Sequence, residues 1–252
     1  MINILMSGCN GKMGQVISRL SEQYSDLKIA AGFDIFDSGR NSYPVFSNLE
    51  QCRENIDVII DFSNPDALEN ILRFAVERRL PIIVATTGIS LSQKKLLESA
   101  ARVIPVFFSA NMSLGVNLIM DLVRKAAKVL EPNFDIEIIE KHHNQKLDAP
   151  SGTALAIADS INSALEQKQE YIYDRHSRRK KRSRAEIGIH AVRGGTIVGE
   201  HSIIFAGNDE VIEISHSAMS KDIFGTGALR AAKFIHGKAP GMYDMNDLIT
   251  SE

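Results

Sequence analysis

The segment "INILMSGCNGKMG", residues 2–14, passes from a run of buried-strand residues into a glycine-rich turn and on into the helical "KMGQVISRLSEQ". Glycines at 8, 11 and 14 permit a tight turn and close backbone approach at the point where a strand feeds a helix. The same grammar then repeats. "LKIAAGFD" and "DVIIDFS" read as strands, and "PDALENILRFAVERR" as a helix opened by Pro65. After these come "PIIVATTG", a helix over "SQKKLLESAAR", and the strand "IPVFFSAN". Alternating strands and helices predict an α/β fold, a doubly wound parallel sheet with helices on both faces. The strand runs are apolar without strict alternation, as burial on both faces requires.

Beyond Asn111 the pattern changes. A long helix over "LGVNLIMDLVRKAAKVL" leads to "FDIEIIEKHH", where apolar and polar residues alternate as in a strand with one wet or interfacial face. A helix over "SGTALAIADSINSALEQ" follows, then three strand-like runs, "AEIGIHAVRGG", "TIVGEHSIIFAG" and "EVIEISHSAM". Successive strands predict a mixed or antiparallel sheet in a separate α+β domain. The final helix, "GTGALRAAKFI", needs a surface to pack on and is expected to return to the first domain. The expected division is a dinucleotide-binding domain over 1–111 completed by 222–252, and a substrate-binding and oligomerisation domain over 112–221.

Composition narrows the function classes. The 252 residues are 44% hydrophobic and 24% charged, with a net charge of −2, which describes a globular chain without a general pull toward nucleic acid or an acidic membrane. No apolar run approaches the roughly 20 residues of a membrane span, and the first residues lack the pattern of a secretory leader, so a cytoplasmic protein is expected. Cys9 and Cys52 form no CxxC pair and suggest neither a disulfide framework nor a metal cluster. Cys9 reads as a small turn filler, with a reactive thiol at a helix start as the alternative.

The glycine turn, with Gly8, Gly11, Lys12 and Met13, offers free amides at a helix N-terminus to a pyrophosphate. Asp34 closes the second strand at about the spacing where a carboxylate receives the adenosine ribose hydroxyls. A carboxylate repels a 2′-phosphate, and Ile35 stands where an arginine would favour one. NADH is therefore the expected cofactor, with NADPH also usable. Lys12 is either a solvated surface charge or a cation within reach of the added phosphate. Open α/β sheets bind ligands at strand C-termini, which makes Phe62, Ser63, Ala85, Thr87, Ala110 and Met112 candidates for the nicotinamide side.

A second cluster lies in "EKHHNQKLDAPSGTALAIADSIN", residues 140–162. The start Pro150-Ser151-Gly152-Thr153 presents helix amides and two hydroxyls without a bulky side chain, a good receptor for a carboxylate. Ser151 is by default an N-cap. With His143 and Lys146 adding donor or positive character, the site suits a small dianion, and His142 beside it is a proton donor of the type that titrates near neutral pH. Adjacent strand residues point to opposite faces, so His142 and His143 are not expected to share a metal.

"EKHHNQKLDAPSGTA" resembles the signature of the dihydrodipicolinate reductases of bacterial lysine and diaminopimelate biosynthesis. The similarity continues through "GCNGKMG", "DFSNP", "ATTG", "FSANMSLGVNL", "RGGTIVGEHSIIF" and "GKAPGMYDM", over nearly the whole chain. The resemblance implies His142 as general acid and Lys146 as second catalytic residue, with His143, Ser151, Gly152 and Thr153 around the substrate carboxylate. It further implies a Rossmann domain completed by the C-terminal segment, and a homotetramer formed through the central sheet. The substrate implied is a cyclic unsaturated dicarboxylate, which takes hydride at ring C4 and a proton at the adjacent carbon. Family members often carry arginine at the position of Ile35 and basic residues or histidine at Asn144 and Gln145. Alternatives are another NAD(P)H-dependent cyclic imine reductase on the same plan, or a nucleotide-sensing or nucleic-acid-binding protein. The last rests on the basic run "RHSRRKKRSR", residues 175–184, which is more simply a solvated loop.

Overall fold

The computed structural model describes residues 1–177 and 179–251. The chain divides into two compact units, Met1–Leu114 with Lys221–Glu252, and Gly115–Ser220.

The first unit is built on β1 (Ile2–Ser7), β2 (Leu27–Phe33), β3 (Val45–Phe46), β4 (Val58–Asp61), β5 (Ile82–Val84), β6 (Pro105–Phe108) and β12 (Gly241–Tyr243). They form one parallel sheet in the order β12-β6-β5-β4-β1-β2-β3. Helix α1 (Lys12–Ser21) follows β1 directly, and Ile17 and Leu20 turn one face of it into the core. A 3-10 turn over Pro65–Ala67, capped by the Asn64 side chain, leads into α2 (Leu68–Arg78). A capping box between Ser90 and Gln93 opens α3 (Leu91–Ala100). Two apolar clusters result, one on each side of the sheet: Ile4, Met6, Val58, Ile60 and Phe107 belong to one, and Leu5, Ile59, Ile82, Val84 and Val106 to the other. Neighbouring strand residues thus face opposite cores, which is why the strands show no polar alternation.

The C-terminal helix α6 (Asp222–Ile235) lies in the first unit, its Ala228, Leu229, Ala231, Ala232 and Ile235 packed into the same cluster as Ile17 and Leu20 of α1. Gly225 and Gly227 allow this approach: a side chain at Gly225 would press on Leu20, and one at Gly227 would overlap the carbonyl of Met112. Strand β12 then extends the sheet beside β6, and α7 (Met245–Thr250) closes the chain with a capping box on Asp244.

The second unit carries a mixed five-stranded sheet in the order β11-β10-β7-β9-β8. Its strands are β7 (Asp135–His142), β8 (Glu170–Ile172), β9 (Glu186–Arg193), β10 (Gly199–Ala206) and β11 (Val211–Ala218). β10 runs antiparallel to β7 and β11, whereas β9 runs parallel to β7 and β8. Ile136, Ile138, Ile187, Ile189, Ile203 and Phe205 share one sheet face and pack with Ile119, Val123 and Ala127 of α4 (Leu114–Leu130) and Ile157 and Ile161 of α5 (Gly152–Asn162). Helix α5 stops at Asn162, shorter than the sequence pattern suggests. The opposite sheet face mixes Ile139, Val192, Ile204 and Val211 with charged and hydroxyl side chains.

The basic run after β8 is tied down by carboxylates. Arg175 meets Glu186 and Glu137 at 2.9 Å each, Arg182 meets Glu137 at 2.9 Å and Asp135 at 2.8 Å, and Lys180 lies 3.8 Å from Glu186. A side chain at Gly188, the β9 residue paired with Glu137, would overlap that carboxylate. Arg178 of the same run lies outside the described residues.

Candidate active site residues in the two units

At the crest of the parallel sheet, Gly8 has φ +77°, and a side chain there would sit 2.6 Å from the carbonyl oxygen of Phe62. A side chain at Gly14 would overlap the carbonyl of Gly8. Both positions require glycine, one for conformation and one for close passage of the helix. Cys9 is fully buried beside Gly32, and burial, followed by the nearby charge of Asp34, pushes its thiol up to about 12. It fills space and is not an activated thiol.

Two cavities line this crest. One of about 370 Å³ is walled by Gly8, Asn10, Gly11, Asp34, Phe62 and Ser63 among others. The other, of about 340 Å³, is walled by Met13, Phe62, Ser63, Ala85, Thr86, Thr87, Ala110, Met112, Lys221 and Phe224. Phe62 and Ser63 belong to both. Of the residues expected for a dinucleotide, only Lys12 lines neither cavity; it is the exposed first residue of α1. Asp34 accepts the Asn10 amide at 2.9 Å on one carboxylate oxygen and the Ile35 amide at 2.8 Å on the other. A carboxylate offers about four acceptor positions, so both oxygens retain capacity for ribose hydroxyls. Beneath the shared wall, Asp61 is fully buried and accepts from Ser7 at 2.8 Å, Ser63 at 2.6 Å and Thr86 at 2.7 Å. Desolvation pushes this carboxyl up, against the three hydroxyls that hold it down. Asp61 therefore fixes the two hydroxyl residues that face the second cavity.

The second cluster begins at the end of β7. Residues 136, 138, 140 and 142 share the core face, so Glu140 and His142 stand side by side with Oε2 of Glu140 2.6 Å from Nδ1 of His142. Glu140 also receives Arg193 in a two-pronged pair, 2.7 Å to Oε1 and 2.8 Å to Oε2, and the Ser151 amide at 3.0 Å. Burial raises the energy of this carboxylate, but Arg193, His142 and the amide together hold it below the ordinary range. The ionised Glu140 accepts the Nδ1–H of His142 and leaves Nε2 as the outer nitrogen, the one beside Gly199, where an added Cβ would come within 3.1 Å of it.

Glu140 thereby joins the histidine to the helix start. Ser151 caps α5 with its hydroxyl, which accepts from the Ala154 amide at 3.1 Å and lies 3.1 Å from Nε2 of His201. Ser151 is only 1% exposed, whereas Gly152 is exposed and Thr153 half-buried. The first turn of α5 contains no acidic residue. His143 and Lys146 occupy the connection between His142 and this helix, braced by Gly194 and Gly195 through the His142 carbonyl and the Asn144 amide. The Nδ1 of His143 is buried and has no hydrogen-bond partner among the described residues. Lys146 pairs with Asp148 at 2.8 Å and, through that hydrogen bond first, lowers the Asp148 carboxyl.

Glu140, Arg193 and His201 were not among the residues expected from sequence. The register explains them: Glu140 lies opposite His201 on β10, and His142 opposite Arg193 on β9. The visible signal was an acidic residue two positions before a histidine in an alternating strand, which places both on one face.

Models of two family domains match the chain: dihydrodipicolinate reductase, N-terminus, over residues 2–112, and dihydrodipicolinate reductase, C-terminus, over residues 115–249. The 4-hydroxy-tetrahydrodipicolinate reductase of Caldanaerobacter subterraneus subsp. tengcongensis is 53% identical over 249 residues, covering 99% of this chain and 98% of that protein. The protein of the same name from Clostridium tetani is 47% identical over 251 residues, covering 100% and 98%. Among solved structures, the dipicolinate-bound dihydrodipicolinate reductase from Paenisporosarcina sp. TG-14 superimposes with a TM-score of 0.81 at 26% identity, over 98% of this chain and 99% of that one.

Proposed function

The chain belongs to the dihydrodipicolinate reductase family, and we infer that it reduces 4-hydroxy-tetrahydrodipicolinate, by way of dihydrodipicolinate, to tetrahydrodipicolinate in bacterial lysine and diaminopimelate biosynthesis. The observation that carries the chemistry is the junction at Glu140, which binds His142 and the start of α5 with one carboxylate.

The first unit fits a nicotinamide dinucleotide. Its two cavities share the Phe62–Ser63 wall, and the bare backbone at Gly8, Gly11 and Gly14 suits a pyrophosphate. When bound, the reduced nicotinamide supplies the hydride. Asp34 holds the ribose hydroxyls, and Ala85, Thr87, Ala110, Met112 and Met13 form the wall on the nicotinamide side. NADH is the preferred form and NADPH a usable one, because Asp34 opposes a 2′-phosphate while Ile35, 84% exposed, offers it no cation.

In the second unit, the amides and hydroxyl at Gly152 and Thr153, with His143 and Lys146, receive the substrate carboxylates. Ser151 supports them as the cap. Lys146 exchanges Asp148 for the developing negative charge of the reduced ring, and His142, as the imidazolium, delivers its Nε2 proton to the carbon beside the hydride acceptor and is left neutral with Nδ1–H on Glu140. Three features support a homotetramer formed through the five-stranded sheet: the family resemblance, the exposed Val211 and Val192, and the accompanying Ile139 and Ile204 on the face away from His142. No helix among the described residues is long and apolar enough to cross a membrane, and a cytoplasmic location accords with the biosynthetic role.

Competition by pyridine-2,6-dicarboxylate tests the site. The compound imitates the planar dianion, and Thr153→Val and His143→Ala each weaken its inhibition and raise the KM for substrate with little change in kcat. Inhibition that does not compete with substrate contradicts this assignment of the carboxylate site.

A further inference from the structure

His201 belongs to none of the roles above, yet it touches both halves of the substrate cluster. It lies in β10 directly opposite Glu140 and is 5% exposed. Its Nε2 is 3.1 Å from the Ser151 hydroxyl, and its ring packs edge-on against His142 with centroids 5.3 Å apart.

We propose that His201 is a positioning residue for the reduction: through Ser151 it locks the anion-receiving start of α5 at a fixed place relative to His142. The inference rests on the reading of that helix start as the substrate-carboxylate site.

The contact engages the Ser151 hydroxyl a second time. The Ser151 oxygen already accepts from the Ala154 amide. Nδ1 of His201 is buried, with no hydrogen-bond partner among the described residues. The Nε2 contact is satisfied in either sense, the ring N–H donating to the Ser151 oxygen or the Ser151 hydroxyl donating to a bare Nε2, so a neutral His201 holds Ser151 in both tautomers. The Ser151 hydroxyl is thus engaged twice, by a helix amide and by a ring held in the sheet. The Ser151 amide is anchored independently on Glu140, whose other oxygen holds His142. Helix start, general acid and sheet are thus joined at three points, and His201 supplies the one that does not pass through Glu140. Burial, and after it the neighbouring His142, lowers His201 to about 4, which keeps the ring neutral and the single-proton arrangement intact.

The test uses the full-length enzyme and four variants. His201→Phe keeps a ring against His142 but removes the hydrogen-bonding nitrogen. It raises the KM for substrate and the inhibition constant of pyridine-2,6-dicarboxylate by about 3- to 10-fold, the value of one neutral hydrogen bond. The KM for NADH and kcat stay within about twofold. His201→Gln, whose side-chain amide offers a donor or an acceptor at the place of Nε2, restores the substrate KM. In a Ser151→Ala background, His201→Phe adds nothing further, because its effect passes through the missing hydroxyl. Multiplying effects in the double variant, or a His201→Gln no better than His201→Phe, overturn the role of His201 while leaving the carboxylate site standing. A Ser151→Ala enzyme with unchanged substrate KM and unchanged inhibition overturns the contribution of this helix start and the inference together.

Discussion

Glu140 and His142 stand two residues apart on one face of β7, with Oε2 of the first 2.6 Å from Nδ1 of the second. The carboxylate is itself fixed by Arg193 and by the Ser151 amide, so the ring is held in one orientation, and in its imidazolium form the outer nitrogen carries the second proton, free to be delivered. His142→Gln and Lys146→Ala should each lower kcat by on the order of 10² to 10⁴ while leaving the KM for NADH nearly unchanged, since their work falls on the transition state. Glu140→Gln should lower kcat by a smaller factor and also reduce the melting temperature, because Arg193 loses its partner. Steady-state kinetics with thermal melts of the three variants measure this, and near-normal turnover in His142→Gln and Lys146→Ala would remove both from the mechanism.

Stability should depend on pH through the same cluster. His201 is lowered from 6.5 to about 4, so between those values the unfolded chain binds a proton that the folded one refuses. Its contribution is complete above pH 6.5 and is lost as the pH falls toward 4, with a slope of up to about 1.4 kcal/mol per pH unit. Glu140 and Glu137, both lowered, continue the loss at more acid pH, while Asp61, raised by burial, works in the opposite sense. Denaturant melts of wild type and His201→Gln across pH 4 to 7 isolate the histidine: the variant should show the flatter dependence, and identical slopes would contradict the assignment.

Much of this site was legible because its parts are local in sequence. The glycine turn, Asp34 and the run from His142 to Thr153 each fall within a single strand-turn-helix passage, where spacing alone indicates chemistry. Glu140, Arg193, His201 and Asp61 are different: three depend on strand register or on burial that no local pattern records, and Glu140 required reading one strand for shared facing. The fold behaves likewise. Strands β1, β2 and β4 are legible as apolar runs and β7 and β10 by alternation, whereas β3, β8 and β12 have two or three residues and exist only because a longer strand lies beside them. The basic run reads as a charged loop in sequence, yet Arg175 and Arg182 serve the sheet, pinned on Glu137 and Glu186.

Cofactor choice should follow the segment after β2. Asp34→Ser combined with Ile35→Arg removes the carboxylate that opposes a 2′-phosphate and adds a planar cation suited to one, so kcat/KM should shift toward NADPH. The wild type should favour NADH. Lys12 at the exposed start of α1 changes this little, since a solvated ammonium contributes about 1 kcal/mol or less. A wild-type preference for NADPH of about tenfold, equivalent to roughly 1.4 kcal/mol, would mean that Lys12 outweighs Asp34.

The central claim is the reaction itself, and the most direct measurement is steady-state oxidation of NADH and NADPH by the purified protein supplied with 4-hydroxy-tetrahydrodipicolinate generated by the upstream synthase. The account predicts cofactor oxidation that depends on that substrate, is faster per unit kcat/KM with NADH, and is competitively inhibited by pyridine-2,6-dicarboxylate. Absence of substrate-dependent oxidation with either cofactor, in a folded preparation that binds NADH, would contradict it.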